Sequence, residues 1–260
     1  MRIRATVAAV SGALALSAFA VPAAHAATAA PNVTFSNVKV NGGKAITLGA
    51  TSTVEVKATY TVTHPTTVSM SNVLTGPVLY RGTSAKDADT QVVSDAPGTC
   101  TTVNSTTVNC SATITLPAAE LYNSDAGTWK QGALAVDKKT EAEKWQSDLG
   151  TLPVRRAAKL TADAAPEPVK KGKTLTVTGK LSRANWEDGK YHGYTGQAVK
   201  LQFRKAGTST YTTLKTVTTD STGNLRTTVT AGSDGYYRYS FAGTSTTSAV
   251  SAAGDYVDVQ

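Results

Sequence analysis

The 260-residue sequence is poor in the residues that carry chemistry: two cysteines, three histidines, three tryptophans and two methionines. Nucleophilic hydrolysis needs a base beside the nucleophile, usually His. Beyond the first 26 residues only His64 and His192 remain, and no Gly-x-Ser-x-Gly occurs. His64 precedes Pro65 at a strand end and reads as an exposed turn residue. Glycosidase chemistry needs two carboxylates opposed across a cleft, whereas Glu187 and Asp188 are adjacent and read as part of a solvated loop. Calcium needs clustered oxygen ligands. Asp87 with Asp89 and Asp255 with Asp258 come nearest, with Asp220 and Asp234 in turns, but no Asp-x-Asp-x-Asp-Gly pattern is present. Turn-stabilising Asp is the favoured reading. The chain is therefore expected not to be an enzyme and to carry no cofactor and no metal.

Long apolar runs are also scarce. One spans Val7–Val21, after Arg2 and Arg4 and before Ala24-His25-Ala26. That order is a secretory signal peptide over residues 1–26, with cleavage before Ala27. No second apolar run follows, so no transmembrane segment is expected after cleavage. No Cys stands directly after the run and no sortase-type signal occurs, which points to a secreted, extracellular chain.

What is present is Thr, Ser, Val and Gly in period-two alternation, the pattern of half-buried strands. Val54, Val56, Ala58, Tyr60 and Val62 share one face; Val108, Cys110, Ala112, Ile114 and Leu116 share another. Val33–Phe35 with Val38–Val40 reads as an entry strand closed by Asn41-Gly42-Gly43. Thr67–Tyr80 reads as a strand interrupted at Gly76-Pro77, Pro117–Tyr122 as a helical turn, and Gly127–Asp137 as a late strand. Lys138–Lys144 fits a loop or a short helix. Later, Leu175, Val177 and Leu181, then Val199, Leu201 and Phe203, then Leu214 with Thr216, Leu225 with Val229, and Tyr237, Tyr239 and Phe241 alternate likewise. The predicted fold class is all-β: two tandem immunoglobulin-like β-sandwich domains, residues 27–156 and 157–260, joined almost without a linker.

The two cysteines, Cys100 and Cys110, are expected to form a disulfide in an exported chain. A loop of Asn104, Ser105 and Thr106 pairs 103 with 107 and brings 100 opposite 110, so the bridge requires an odd loop length. Closing so short a loop contributes about 3 kcal/mol.

Charge divides the halves. Residues 27–153 carry 9 basic and 10 acidic side chains, net −1; residues 154–260 carry 15 and 8, net +7. Outside a cell, nucleic acid is a poor default partner. Anionic wall polymer, membrane headgroups or acidic polysaccharide fit better, and the partners expected are cell-wall anionic polymer, carbohydrate or another extracellular protein.

The segments Lys159-Leu-Thr161, Pro166–Gly172, Thr174–Gly179, Val199–Arg204, Thr219-Asp220 to Gly223 and Asp234–Gly243 resemble Ig-like domains of secreted actinobacterial proteins. Gly196-Gln-Ala-Val199 with the later Asp-to-Gly turn also resembles transthyretin-like modules. The resemblance covers nearly all of residues 157–260. It implies an extracellular sandwich from a family mostly without known activity, some of whose members carry a calcium-binding label.

The chemically densest stretch is Ala184–Gly196. It is long for a hairpin loop and gathers Trp186, Glu187, Asp188, Lys190, Tyr191, His192 and Tyr194. Exposed aromatics beside polar groups suit sugar rings or protein partners. The competing reading is that Trp186 tucks over the end of the sandwich and orders its own loop. Trp129 and Trp145 read as packing residues. The functional expectation is binding or cell-surface interaction through the basic second domain. The alternatives are a calcium-stabilised structural module and an accessory or inhibitor of a secreted hydrolase.

Overall fold

The computed structural model describes residues 29–260; the leader read at residues 1–26 lies outside the described residues. The first half builds β1 (Thr34–Val40), β2 (Ile46–Leu48), β3 (Thr53–Thr63), β4 (Val73–Gly82), β5 (Ala88–Val93), β6 (Thr99–Asn104), β7 (Thr107–Pro117), β8 (Gly127–Asp137), β9 (Glu143–Gln146) and β10 (Thr151–Arg156). One sheet has the order β1-β3-β7-β6, the other β2-β10-β8-β4-β5, with β9 also on β8. The entry strand is thus split between the two sheets, β1 antiparallel to β3 and β2 parallel to β10. This is the strand order of an immunoglobulin-like sandwich. Alternation in β3 turns Val56, Ala58, Tyr60 and Val62 inward against Ile114, Leu116 and the fully buried Trp129.

Several local expectations change in detail. In β1 both Val33/Phe35 and Val38/Val40 are buried, although they differ in parity, because a bulge between Ser36 and Lys39 shifts the register. Asn37 there has φ 52°. Thr67–Asn72 is turn rather than strand, and β4 then runs unbroken through Gly76 and Pro77. Pro77 is tolerated because its missing N–H points to the side where β5 has ended: Val93 pairs with Val78, and Ser94 N–H closes onto the Pro77 carbonyl. Pro117–Tyr122 holds one short 3-10 turn, Ala118–Glu120, and residues 138–142 form the tip of the β8–β9 hairpin. Trp145 is half-buried against the small cluster of Val78, Tyr80 and Ala85.

Cys100 faces Cys110 and the two are bonded. The odd residue comes from a different place than expected. Asn104 pairs with Thr107 around a two-residue turn, and a bulge at Val103 supplies the third residue. Val103 is accordingly 56 % exposed. His64, expected at the surface, is 9 % exposed, its backbone N–H donating to the Thr106 carbonyl at the end of this hairpin.

The second half builds β11 (Ala158–Leu160), β12 (Asp163–Ala165), β13 (Thr174–Asn185), β14 (Lys190–Gly193), β15 (Ala198–Lys205), β16 (Thr212–Thr218), β17 (Asn224–Thr230), β18 (Gly235–Phe241), β19 (Val250–Ser251) and β20 (Asp255–Val257). Strand β13 carries β11 and β12 on one edge and β17 and β14 on the other. The facing sheet has the order β16-β15-β18-β19, with β20 also on β18. Leu175, Val177, Leu181, Val199, Leu201, Tyr239 and Val257 close the core at 0 % exposure. Leu214 departs from the expected alternation. It is the extra residue of a bulge opposite Leu201 and Gln202, and is 44 % exposed.

Burial raises the Tyr239 phenol to about 12, and its hydroxyl donates to the Val177 carbonyl at 2.9 Å. A neutral acid held above its free value near 10 adds stability at lower pH, and that contribution is lost as pH climbs from about 10 to 12. Tyr60 and Tyr237 are raised in the same direction by burial. Stability followed by denaturant midpoints should therefore be flat from pH 8 to about 10 and fall steeply above it. Tyr239→Phe should blunt that fall.

Candidate functional site

Only Ala157 separates β10 from β11, and both sandwiches bond to it: its N–H donates to Leu48, and its carbonyl accepts from Ala184 N–H. Next to it, Arg156 is 8 % exposed and its Nε donates to the Ala184 carbonyl at 2.6 Å. Burial, then the neighbouring Arg183, pulls the Arg156 guanidinium down to about 10, with Glu187 opposing.

The 184–196 segment is the β13–β14 hairpin, and its tip leans onto the first sandwich. Trp186 is 3 % exposed and belongs to the core of the first sandwich. Its indole Nε1 donates to the Leu48 carbonyl at 3.4 Å and its backbone N–H to Asn123 Oδ1 at 3.1 Å. Asn123 donates in return, from Nδ2 to Asn185 Oδ1 at 2.6 Å and from its backbone N–H to Glu187 Oε1 at 3.2 Å. Tyr191 packs on the same core, with Lys159 Nζ 4.0 Å over its ring. Tyr194 turns into the second core, edge-on to Phe241 at 5.8 Å and stacked beneath Arg183 at 4.1 Å.

What this hairpin shows to the outside is Glu187, Asp188, Lys190 and His192. Asp188 accepts from Lys190 N–H at 3.0 Å and meets His192 Nε2 at 2.6 Å, and the His192 contact holds its carboxyl below the usual range. Of the two readings of this segment, the favoured one describes it: Trp186 tucks over the end of a sandwich, although that sandwich is the first rather than its own, and open aromatic faces are not displayed here. The rings of Trp186, Tyr191 and Tyr194 gain more by filling the junction and the second core than by facing water.

An aromatic–cationic row does exist on the same sandwich, one sheet away, on the outward face of β15, β18 and β20. Register sets it: Gln202 pairs with Arg238, Arg204 with Tyr236, and Tyr236 with Tyr256. Arg204 stacks over Tyr236 at 4.0 Å and reaches Tyr211 at 5.3 Å; Arg238 stacks over Tyr211 at 3.7 Å. Tyr236 meets Tyr256 at 5.2 Å. Arg238 Nε donates to Gln202 Oε1 at 2.9 Å, and Arg204 donates to the Thr208 carbonyl. Among the described residues no carboxylate lies within ion-pair distance of either arginine. Tyr256 is 42 % exposed, and Lys200 is exposed on the same outward parity of β15 as Gln202 and Arg204.

Stacking occupies the faces of the guanidinium groups and leaves N–H edges for a ligand. The arrangement can recognise oxyanions and flat rings. The signal was in the sequence: the outward half of the same Tyr236-Tyr-Arg-Tyr239 alternation whose inward half, Tyr237 and Tyr239, marks the core.

The acidic candidates serve locally. Asp220 accepts from the N–H groups of Thr222 and Asn224, which hold its carboxyl down to about 2. Asp234 accepts from Val259 N–H, Asp255 from Ala164 N–H, and Asp258 from the Gln260 amide. Asp87 closes a turn with Ser84. Among the described residues no three metal-ligating side chains are gathered together. A shallow cleft of about 200 Å³ on the first sandwich is mainly apolar, lined by Leu74, Val93, Pro97, Leu134 and Val136. Among the described residues no helix is long and apolar enough to cross a membrane.

No family model matches the chain, and no curated protein matches it. Among solved structures, a marsupial T cell receptor is 14 % identical over 87 % of this chain and 73 % of its own, with a TM-score of 0.39. The Escherichia coli adhesin FdeC is 13 % identical over 88 % and 65 %, TM-score 0.36. A three-Ig fragment of titin is 14 % identical over 89 % and 66 %, TM-score 0.34. The chain spans less than two thirds of the last two. At these scores the Ig-like description of this chain stands on its own strand order.

Proposed function

We propose that this chain is an exported, non-enzymatic binding or surface-interaction protein whose contact surface is the outward face of β15, β18 and β20. The observation that carries this is the row Arg238, Tyr211, Arg204, Tyr236 and Tyr256 on the +7 half of the chain, with no carboxylate paired to either arginine among the described residues. Tyr and Arg are the residues enriched where proteins make contact, because they bury area at low entropy cost and keep a polar edge. The Cys100–Cys110 bridge and the leader-like first 26 residues support an oxidising, extracellular setting.

The test is retention on isolated cell-envelope material of the producing organism. The wild-type chain should be held at low ionic strength and released as salt rises past about 0.15 M, where screening shortens to roughly 8 Å. Arg238→Gln with Tyr256→Ser should cut retention roughly tenfold. Equal retention of this variant and wild type would overturn the assignment of the face.

A further inference from the structure

We infer that the ligand taken by this face is an acidic polysaccharide, a chain of carboxylate-bearing sugars lying across the strands from Tyr211 to Tyr256. The inference rests on the binding role proposed above and names its substrate class.

Four features of the row select that chemistry. First, Arg204 and Arg238 both lie within 5.3 Å of the Tyr211 ring, so two cations sit side by side on a shared aromatic support. Each is also tethered by one hydrogen bond, to Thr208 and Gln202 respectively. The guanidinium planes are thereby held in place, and a planar carboxylate meets a held guanidinium fork through two parallel hydrogen bonds. Second, the cationic end passes directly into an aromatic end. Tyr236 carries Arg204 and abuts Tyr256, whose 42 % exposure leaves it open to a ring stacked from outside. A sugar ring offers such an apolar face; a bare phosphate chain does not.

Third, the row is compact: Tyr211, just before β16, folds back over the sheet so that its hydroxyl reaches Gly254 ahead of β20, which gathers two guanidinium groups against the rings of Tyr236 and Tyr256. Two cations beside adjoining rings suit a chain that carries an anionic group on each sugar, and offer more contacts than a single small anion would use. Fourth, the nearest acids, Asp234 and Asp258, act on Tyr256, whose phenol is raised by burial and then by their charges, and among the described residues neither comes within ion-pair distance of Arg204 or Arg238. Lys200, on the same outward parity of β15 as Gln202 and Arg204, adds charge of the same sign as the arginines.

The experiment is titration calorimetry of the full exported chain with polygalacturonate, with the same polymer methyl-esterified, with polyphosphate, and with single-stranded DNA. Polygalacturonate should bind. Methyl esterification, which keeps the sugar and removes the charge, should weaken binding roughly tenfold or more, and Arg204→Gln/Arg238→Gln should do the same. Tyr256→Ser should weaken polygalacturonate several-fold and leave any polyphosphate binding unmoved. Melting temperatures within about 2 °C of wild type establish that the variants are folded.

No heat with polygalacturonate overturns the inference. So does polyphosphate or single-stranded DNA binding as tightly as polygalacturonate, and so does a polygalacturonate affinity indifferent to the three substitutions. If the inference falls while envelope retention still depends on Arg238 and Tyr256, the binding face stands and its ligand is of another class. If retention is also indifferent to them, both fall.

Discussion

Trp186→Ala is expected to lower the stability of the first sandwich by about 3–5 kcal/mol, although the residue belongs to the second. The indole is 3 % exposed and packs within the core that holds Trp129, Leu48 and Ile114. Removing it leaves a cavity at the junction and takes the second donor from the Leu48 carbonyl, which keeps the Ala157 N–H. It also loosens the reciprocal bonds among Asn123, Asn185 and Glu187, which depend on the hairpin tip staying docked. Two sandwiches that share core residues should unfold together, so wild-type unfolding in urea should be a single transition by near-UV circular dichroism and by Trp fluorescence. In Trp186→Ala the transition should move to lower urea and separate into two, the halves retaining the Arg156 backbone bonds to Thr246 and Ser248, the Arg156 Nε bond to Ala184 and the Ala157 link. A single transition displaced by less than about 1 kcal/mol would show that the junction is a passive contact.

The second large effect is expected at Gly223, in the turn between β16 and β17. Its φ is +84°, and a Cβ built there would lie 2.4 Å from the Leu181 carbonyl oxygen, 2.7 Å from Gly193 Cα and 2.8 Å from Tyr194 N. Those are backbone atoms of β13, of the last residue of β14 and of the residue after it, joined by the Tyr194 N–H to Leu181 carbonyl bond at 2.9 Å. A methyl group at this point is a wedge in that bond, and no side-chain rotation relieves it. Left-handed backbone adds about 1–2 kcal/mol for any L residue. With the broken hydrogen bond, Gly223→Ala should cost more than about 3 kcal/mol in urea denaturation. Gly196→Ala is the control. It shares the positive φ, +66°, but its Cβ would meet nothing within 4 Å, so it should cost only the backbone share. Equal costs at the two positions would refute the close-approach account.

Much of the architecture is written in alternation. The inward set of β3 follows directly from period two, because one buried face forces it, and the late strand Gly127–Asp137 is found as β8 with the bounds read from the sequence. The entry strand holds as read, because the bulge near Asn37 lets Val33 and Val38 both face inward. The misreadings lie where one extra residue resets the parity: the bulge at Val103 replaces a three-residue loop, and the bulge at Leu214 sends a leucine out to water. A bulge leaves little trace in composition, since it needs only one residue that no partner opposes.

The site was legible in its residue types and hidden in its placement. Trp186, Tyr191 and Tyr194 could be recognised as important in the basic half, yet nothing local could reveal that the hairpin tip meets Leu48 and Asn123, 138 and 63 residues away. The Arg–Tyr row has the opposite history. Its parts, Arg204, Tyr211, Arg238 and Tyr256, look ordinary along the chain and become one surface only when β15, β18 and β20 are paired in register.

The most direct test of the proposed binding face is chemical footprinting of the chain mixed with isolated cell-envelope material, reading tyrosine nitration at Tyr256 and diethyl pyrocarbonate acylation at His192 in the same sample. Both side chains are exposed in the free chain. The account predicts that the bound chain protects Tyr256 roughly tenfold while His192, at the hairpin, reacts at its free rate. Protection of His192 with Tyr256 left fully reactive would contradict it and return the contact surface to the β13–β14 hairpin.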